Sequence, residues 1–200
     1  MPAPIDFHFD FSSPYSYIAG EWIDALAARH GRTVRRQAIL LGVTFQAAEL
    51  KSPVSYPLKR EYSMRDFARS ARYHGVPFTF PAKFPLSTVS AARAYYWLHG
   101  QDCAKARQFA RAVFRAYWVD GRDISDLAVV QEVAAGLGVD REALAAGIAT
   151  PEIKERLKVE TDTALAKGMC GAPYFVVDNE PFWGADRLPQ IEKWLATGGF

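Results

Sequence analysis

The hydrophobic and polar positions mark out two kinds of stretch. Ile5, Phe7, Phe9 and Phe11 alternate with Asp6, His8 and Asp10, the period of two that predicts a strand. Directly afterwards Tyr15, Ile18, Ala19, Trp22, Ile23, Leu26 and Ala27 recur at helical spacing, which predicts a helix over 14–30 stopped at Gly31. Between them Ser13 and Pro14 form an N-cap followed by a proline at the first helical position. A short run rich in β-branched and apolar residues, 33–41, predicts a second strand and completes a βαβ unit.

From there the pattern becomes helical. Residues 42–57 lose periodicity and collect Ser52, Pro53, Ser55 and Pro57, so they read as a loop. A helix over 58–74 follows, closed by Gly75. The prolines within 76–85 exclude a regular helix, and this apolar stretch reads equally as a pocket wall or a core connector. Helices are then predicted over 87–99, 102–119, 125–135 and 140–148, and one more from Thr150-Pro151-Glu152 to Gly168. The stripe of Tyr95, Leu98, Phe109, Val113, Phe114 and Tyr117 reads as helix–helix core. Residues 174–177 and 181–183 predict a hairpin turning at Asp178-Asn179. A last helix begins near Asp186 and buries Ile191, Trp194 and Leu195.

With the central helices removed, the order is β-α-β followed by β-β-α, which is the thioredoxin order. The expected fold class is therefore α/β, a thioredoxin-like fold with a large all-helical insertion between its βαβ and ββα halves. The expected domains are 1–42 together with 169–200 for the thioredoxin-like part and 43–168 for the insertion.

Composition narrows the function. The chain has 200 residues, half of them hydrophobic, so a sizeable core needs no staples. A formal charge of +2 gives no case for nucleic acid or an anionic membrane, and no apolar run approaches a membrane span of about 20 residues. Cys103 and Cys170 are too few for a disulfide framework. With no leader-like pattern in the first residues, they lead us to expect a reduced, cytoplasmic setting. Cys170 reads as a small, buried apolar residue. No metal site, internal repeat or low-complexity tract is expected.

Three pieces carry chemistry. Ser13 sits where a strand runs into a helix N-terminus, a place of unpaired N–H groups and positive dipole, and Ser13-Pro14-Tyr15-Ser16 has the spacing of Cys-x-x-Cys. Ala172-Pro173 precedes the third strand, where a thioredoxin-like sheet places a cis proline and offers the preceding backbone to an extended peptide. Trp183-Gly184-Ala185-Asp186-Arg187 opens the last helix. There Asp186 reads either as a helix cap or as a partner for an ammonium group, and the helix N-terminus suits a carboxylate. Together the three describe a site for a short zwitterionic peptide that carries a thiol.

The stretches FDFSSPYSY, SPVSYPLKREYSMRDFARSARYHGVPF, GAPYFVV and WGADRL, in this order along essentially the whole chain, resemble the 2-hydroxychromene-2-carboxylate isomerase family. That family belongs with the kappa-class glutathione transferases and the bacterial disulfide-bond oxidoreductases. The resemblance implies glutathione as cofactor and Ser13 as the catalytic serine that binds and activates its sulfur. It implies that Ala172, beside Pro173, holds the cysteinyl part, and that Trp183, Gly184, Ala185 and Asp186, with Arg187, hold the remainder. A family member has asparagine where this chain has Ala185, so any side-chain contact there is lost. Lys83 and the loop carrying Ser52 and Pro53 fall where the family places its aromatic carboxylate substrate.

The implied reaction interconverts 2-hydroxychromene-2-carboxylate and trans-o-hydroxybenzylidenepyruvate, a step of naphthalene breakdown, and the implied assembly is a homodimer. Two alternatives stay open: a kappa-class-like glutathione transferase, and a non-catalytic glutathione- or peptide-binding module. A redox role is disfavoured, because Ser13 and Ser16 cannot form a disulfide.

Overall fold

The computed structural model describes residues 2–200. Strand β1 (Ile5–Phe9) runs into helix α1 (Pro14–Arg29), and β2 (Val34–Ala38) lies parallel to β1 with Phe7 opposite Arg36. After the helical region β3 (Tyr174–Val177) and β4 (Glu180–Trp183) form a hairpin, and β3 pairs antiparallel to β1 with Phe7 opposite Phe175. The sheet order β2-β1-β3-β4 thus brings the two ends of the chain together along its central strand. Phe7 and Phe175 stack with ring centroids 5.1 Å apart, an aromatic pair of the kind that fixes strand register.

Between β2 and β3 lie α2 (Leu41–Ala47), a 3₁₀ turn (Pro53–Ser55), α3 (Pro57–Tyr73), α4 (Val89–His99), α5 (Cys103–Trp118), α6 (Leu127–Ala135), α7 (Arg141–Ala149) and α8 (Pro151–Ala166); α9 (Leu188–Thr197) closes the chain. The helices sit on the sheet and share its core. Phe9 contacts Tyr95 and Phe114 edge-on or tilted, and the hydroxyls of Tyr95 and Tyr96 donate to the carbonyls of Arg36 and Ala38 at 2.9 and 2.7 Å. The stripe from Tyr95 to Tyr117 is buried as its spacing predicts.

The architecture matches the expectation, and two local readings are corrected. Residues 41–47 are helical although no local side chain caps them. The Leu41 N–H that opens this helix is accepted instead by the carboxylate of Asp10, from 31 positions upstream, at 2.8 Å. A tertiary acceptor has replaced the cap, and no local pattern reveals it. The polar positions of the first alternating stretch, Asp6 and His8 in β1 and Asp10 just past it, are all buried. The central strand is covered on both sides, here by the cluster of Ile39, Leu41, Ala164, Met169 and Tyr174. Cys170 is half-buried rather than fully buried, and Cys103 is exposed.

The apolar stretch 76–85 proves to be both connector and wall. Phe78 stacks on Trp118, and Phe84 meets the same indole edge-on. The hydroxyls of Tyr17 and Tyr117 donate to the carbonyls of Pro77 and Lys83 at 2.7 and 2.8 Å. The Trp118 indole N–H donates to the Phe11 carbonyl at 2.9 Å, so this packing also steadies the β1–α1 turn.

His8 gives the fold a pH dependence. Among the described residues neither ring nitrogen has a partner, and burial holds the ring neutral, lowering its pKa from 6.5 to about 4 against the attraction of Asp6. As the pH falls through 6.5 the unfolded chain takes up a proton that the folded chain refuses until about 4, so stability drops across that window. One proton of difference corresponds to about 1.4 kcal/mol per pH unit. His8→Leu should remove this contribution: denaturant melts of the two proteins should differ by a constant above pH 6.5, and the variant should gain on the wild type below it. Parallel pH profiles would contradict this role for His8.

Candidate active site

Ser13 caps α1 from an extended backbone, its Oγ accepting the Ser16 N–H at 3.1 Å. The same oxygen donates its hydrogen to the Ala172 carbonyl at 2.8 Å. The predicted cap is therefore also a bridge between the two ends of the chain. Ser16 is fully buried in the first turn, and the Ala172–Pro173 peptide is cis, as expected.

Two cavities adjoin at this bridge. One, of about 460 Å³, is walled by Pro14, Leu41, Phe45, Pro53, Phe67, Phe84, Pro85 and Leu86, with Ser12, Ser13, Ser52 and Ser87 as polar members. The other, of about 750 Å³, is lined by Tyr62, Asp66, Arg69, His74, Pro173, Gly184, Ala185, Asp186 and Arg187 among others. Tyr15, Ala172 and Trp183 border both. The arrangement is a polar cleft leading to an apolar chamber, with Ser13 on the chamber side. A buried, preorganised donor next to an apolar chamber interacts more strongly with charge than it would in water.

Two glycines make the junction possible. A Cβ on Gly171 would lie 2.5 Å from the Trp183 indole nitrogen, so the indole rests directly on backbone. Gly184 has φ +110°, and a Cβ there would lie 2.3 Å from Asp186 Oδ1; only glycine fits. Asp186 falls in a 3₁₀ turn (Ala185–Arg187) and makes no capping bond to that turn or to α9. Of its two readings the cap is absent. Its side chain is 72% exposed in the polar cleft, with Arg187 Nη2 at 3.6 Å. The Ala185 side chain is buried beneath the turn.

Ser52 and Pro53 line the apolar chamber as the sequence suggested. Lys83 does not: its ammonium bonds Asp123 Oδ2 and Ser125 Oγ, both at 2.8 Å. The hydrogen bonds from Lys83 and Ser125 hold the Asp123 pKa down to about 2. An ion-pair partner from the loop before α6, unpredictable from local pattern, has drawn Lys83 off the site. Among the described residues no lysine or arginine lines the chamber.

Sequence reasoning missed two further features. The Tyr15 hydroxyl donates to Asp66 on α3, which also pairs with Arg69, and burial followed by that carboxylate raises the Tyr15 pKa so that the phenol stays protonated. Arg69 in turn donates to the Tyr62 hydroxyl at 3.2 Å. The signal was present in Asp66 and Arg69, one turn apart on a predicted helix. The second feature is Asp10, whose carboxylate collects bonds from Ser12, Leu41 and Thr88.

Comparison with known proteins agrees with this picture. Residues 4–196 match the model of the DSBA-like thioredoxin domain. A 2-hydroxychromene-2-carboxylate isomerase of Sphingobium xenophagum is 34% identical over 197 residues, covering 98% of this chain and 99% of that protein. A glutathione S-transferase kappa 2 of Caenorhabditis elegans is 29% identical, over 96% of this chain and 91% of its own length. The solved structure of a 2-hydroxychromene-2-carboxylate isomerase superposes with a TM-score of 0.86 at 29% identity, covering 96% of this chain and 94% of that one. The described residues contain no helix long and apolar enough to cross a membrane and no cluster of three or more metal-ligating side chains. With a serine-headed helix facing a cis-proline strand over its full length, the chain belongs to the DSBA-like thioredoxin domain family and, within it, to the 2-hydroxychromene-2-carboxylate isomerase family.

Proposed function

We propose that this protein is a glutathione-dependent isomerase of a conjugated aromatic carboxylate, interconverting 2-hydroxychromene-2-carboxylate and trans-o-hydroxybenzylidenepyruvate. The observation that carries the reading is the hydroxyl of Ser13 between a helix N-terminus and the Ala172 carbonyl, at the seam of a polar cleft and an apolar chamber. Names of the relatives support an isomerase, and the kappa-class relative supports glutathione. A homodimer in the cytoplasm remains part of the proposal.

The residues fit the tripeptide. Ala172 presents backbone at the seam, and the exposed carboxylate of Asp186 suits an ammonium group, with Trp183, Gly184, Ala185, Pro173 and Arg187 completing the cleft. When bound, glutathione supplies a thiolate whose reversible addition makes a conjugated double bond single long enough to rotate. The Ser13 hydroxyl, which donates to the Ala172 carbonyl and accepts from the Ser16 N–H, would donate its hydrogen to the sulfur while keeping the Ser16 bond. Hydroxyl and helix terminus together favour the thiolate over the thiol. The chamber beside Ser52, Pro53, Phe84 and Leu86 holds the flat aromatic substrate out of water.

A free thiol with a pKa of about 8.5 is only slightly ionised at pH 7. A hydrogen bond to a charged group is worth roughly 1.5–3 kcal/mol, so Ser13→Ala should slow turnover on the order of ten- to a hundredfold and raise the pKa of bound thiol. Loss of the cap costs about 1 kcal/mol of stability as well, so rates are compared per folded molecule. Ultraviolet titration of bound thiolate, with turnover measured with and without glutathione, checks this. Wild-type turnover indifferent to glutathione would overturn the mechanism, and counting glutathione before and after reaction separates isomerase from transferase. Asp186→Asn should weaken glutathione binding about 1.5- to fivefold, the range for an exposed charge pair, and leave the melting temperature unchanged because Asp186 makes no cap. Calorimetric titration beside a thermal melt reads both; unchanged affinity would remove Asp186 from the site.

A further inference from the structure

Asp10 stands at the end of β1 and is 2% exposed. None of the ion pairs among the described residues includes it. A buried carboxylate without a cation is costly, and this one is held by four hydrogen bonds that divide between its two oxygens. Oδ1 accepts the Ser12 N–H and the Ser12 hydroxyl, both at 2.7 Å. Oδ2 accepts the Leu41 N–H at 2.8 Å and the Thr88 hydroxyl at 3.1 Å.

The donors lie on three separate segments, and each segment carries a wall of the apolar chamber. Ser12 is the residue before the cap Ser13. Leu41 opens α2, whose Leu41 and Phe45 form one side, and Thr88 follows Leu86 and Ser87 on another. None of these segments borders the polar cleft except through the neck residues, so the carboxylate fixes the chamber and its hydroxyl, and of the tripeptide's contacts it bears only on the one from Ser13 to the sulfur.

We propose that Asp10 is the positioning residue of this site: one carboxylate oxygen holds the serine turn, the other holds the facing walls, and their spacing sets where an aromatic substrate lies relative to Ser13. The proposal rests on the thiol-site reading above. A hydrophobic residue of similar size would fill the same volume at less desolvation cost, and it would leave the Ser12 and Leu41 N–H groups without an acceptor.

Asp10→Asn is the direct test. The amide has one acceptor oxygen where the carboxylate has two, so it serves one of the two backbone N–H groups and turns a donor toward the other. Displacement of a reacting group by about 1 Å costs up to a hundredfold. Per folded molecule, kcat/KM for the aromatic carboxylate should therefore fall by roughly tenfold or more, with the KM for glutathione changed less than about threefold. Hydrogen exchange should accelerate at the Ser12 or the Leu41 amide.

Thr88→Val removes one hydroxyl and leaves the carboxylate, so it should give a smaller loss, about two- to fivefold, in the same parameter; it serves if Asp10→Asn does not fold. Wild-type kinetics in Asp10→Asn, or a glutathione KM that rises as much as the aromatic KM, would reduce Asp10 to general scaffolding and overturn the proposal. If the wild type shows no glutathione-dependent turnover, the functional reading fails, while exchange at the two amides still decides whether Asp10 holds the walls.

Discussion

The hydrogen bond from Ser13 Oγ to the Ala172 carbonyl, 2.8 Å long, closes a loop of 159 positions and brings the chemistry of the fold to one point. It requires that β1 end where α1 begins, and that β3 start directly opposite. It therefore depends on the central placement of β1 between β2 and β3. The register that sets Phe7 against Phe175 places Ala172 beyond the strand end, level with the helix cap. Packing of the aromatic core beneath the sheet makes that placement rigid: Phe9, Phe11, Tyr95 and Phe114 interlock at centroid distances of 5.0–5.6 Å. A hydroxyl on such a base reorients by rotating a single bond, which is the smallest motion that exchanges a carbonyl for a thiolate as acceptor.

Around that point the charged side chains are confined to one of the two cavities. The cleft holds Asp66, Arg69, Asp186 and Arg187, and the chamber holds phenylalanines, prolines, leucines and serines. The helical region between β2 and β3 is what makes the chamber possible, since α2, α3 and the 76–85 segment each contribute a wall. A bare thioredoxin-like sheet would leave its reactive position open to water. With Lys83 engaged by Asp123, the chamber offers apolar contact and hydroxyls, and the charged side chains lie in the cleft.

Much of this was legible from pattern. The β1–α1 junction, the cap at Ser13, the hairpin at Asp178-Asn179 and the order of elements all follow from periodicities and turn residues that act over a few positions. The cis proline follows from the thioredoxin order of elements and the ammonium reading of Asp186 from its place at a helix start, while family resemblance adds the other members of the WGADRL stretch. What escaped reading was set by contacts across long separations. Helix α2 is capped by Asp10 from another strand, Lys83 is captured from outside the site by a partner 40 positions away, and the polar face of β1 is buried by elements that follow it. In the sequence Asp10 is one more polar position of an alternating strand, and its burial comes only from the elements that cover it.

Under the proposed mechanism Ser13 exchanges the Ala172 carbonyl for a thiolate, and a crystal structure with glutathione decides whether it does. The sulfur is expected within hydrogen-bonding distance of Ser13 Oγ, with the cysteinyl backbone paired with Ala172 and the ammonium group at Asp186. Glutathione bound elsewhere, or bound in the cleft with Ser13 still donating to Ala172 and the sulfur out of its reach, would contradict it.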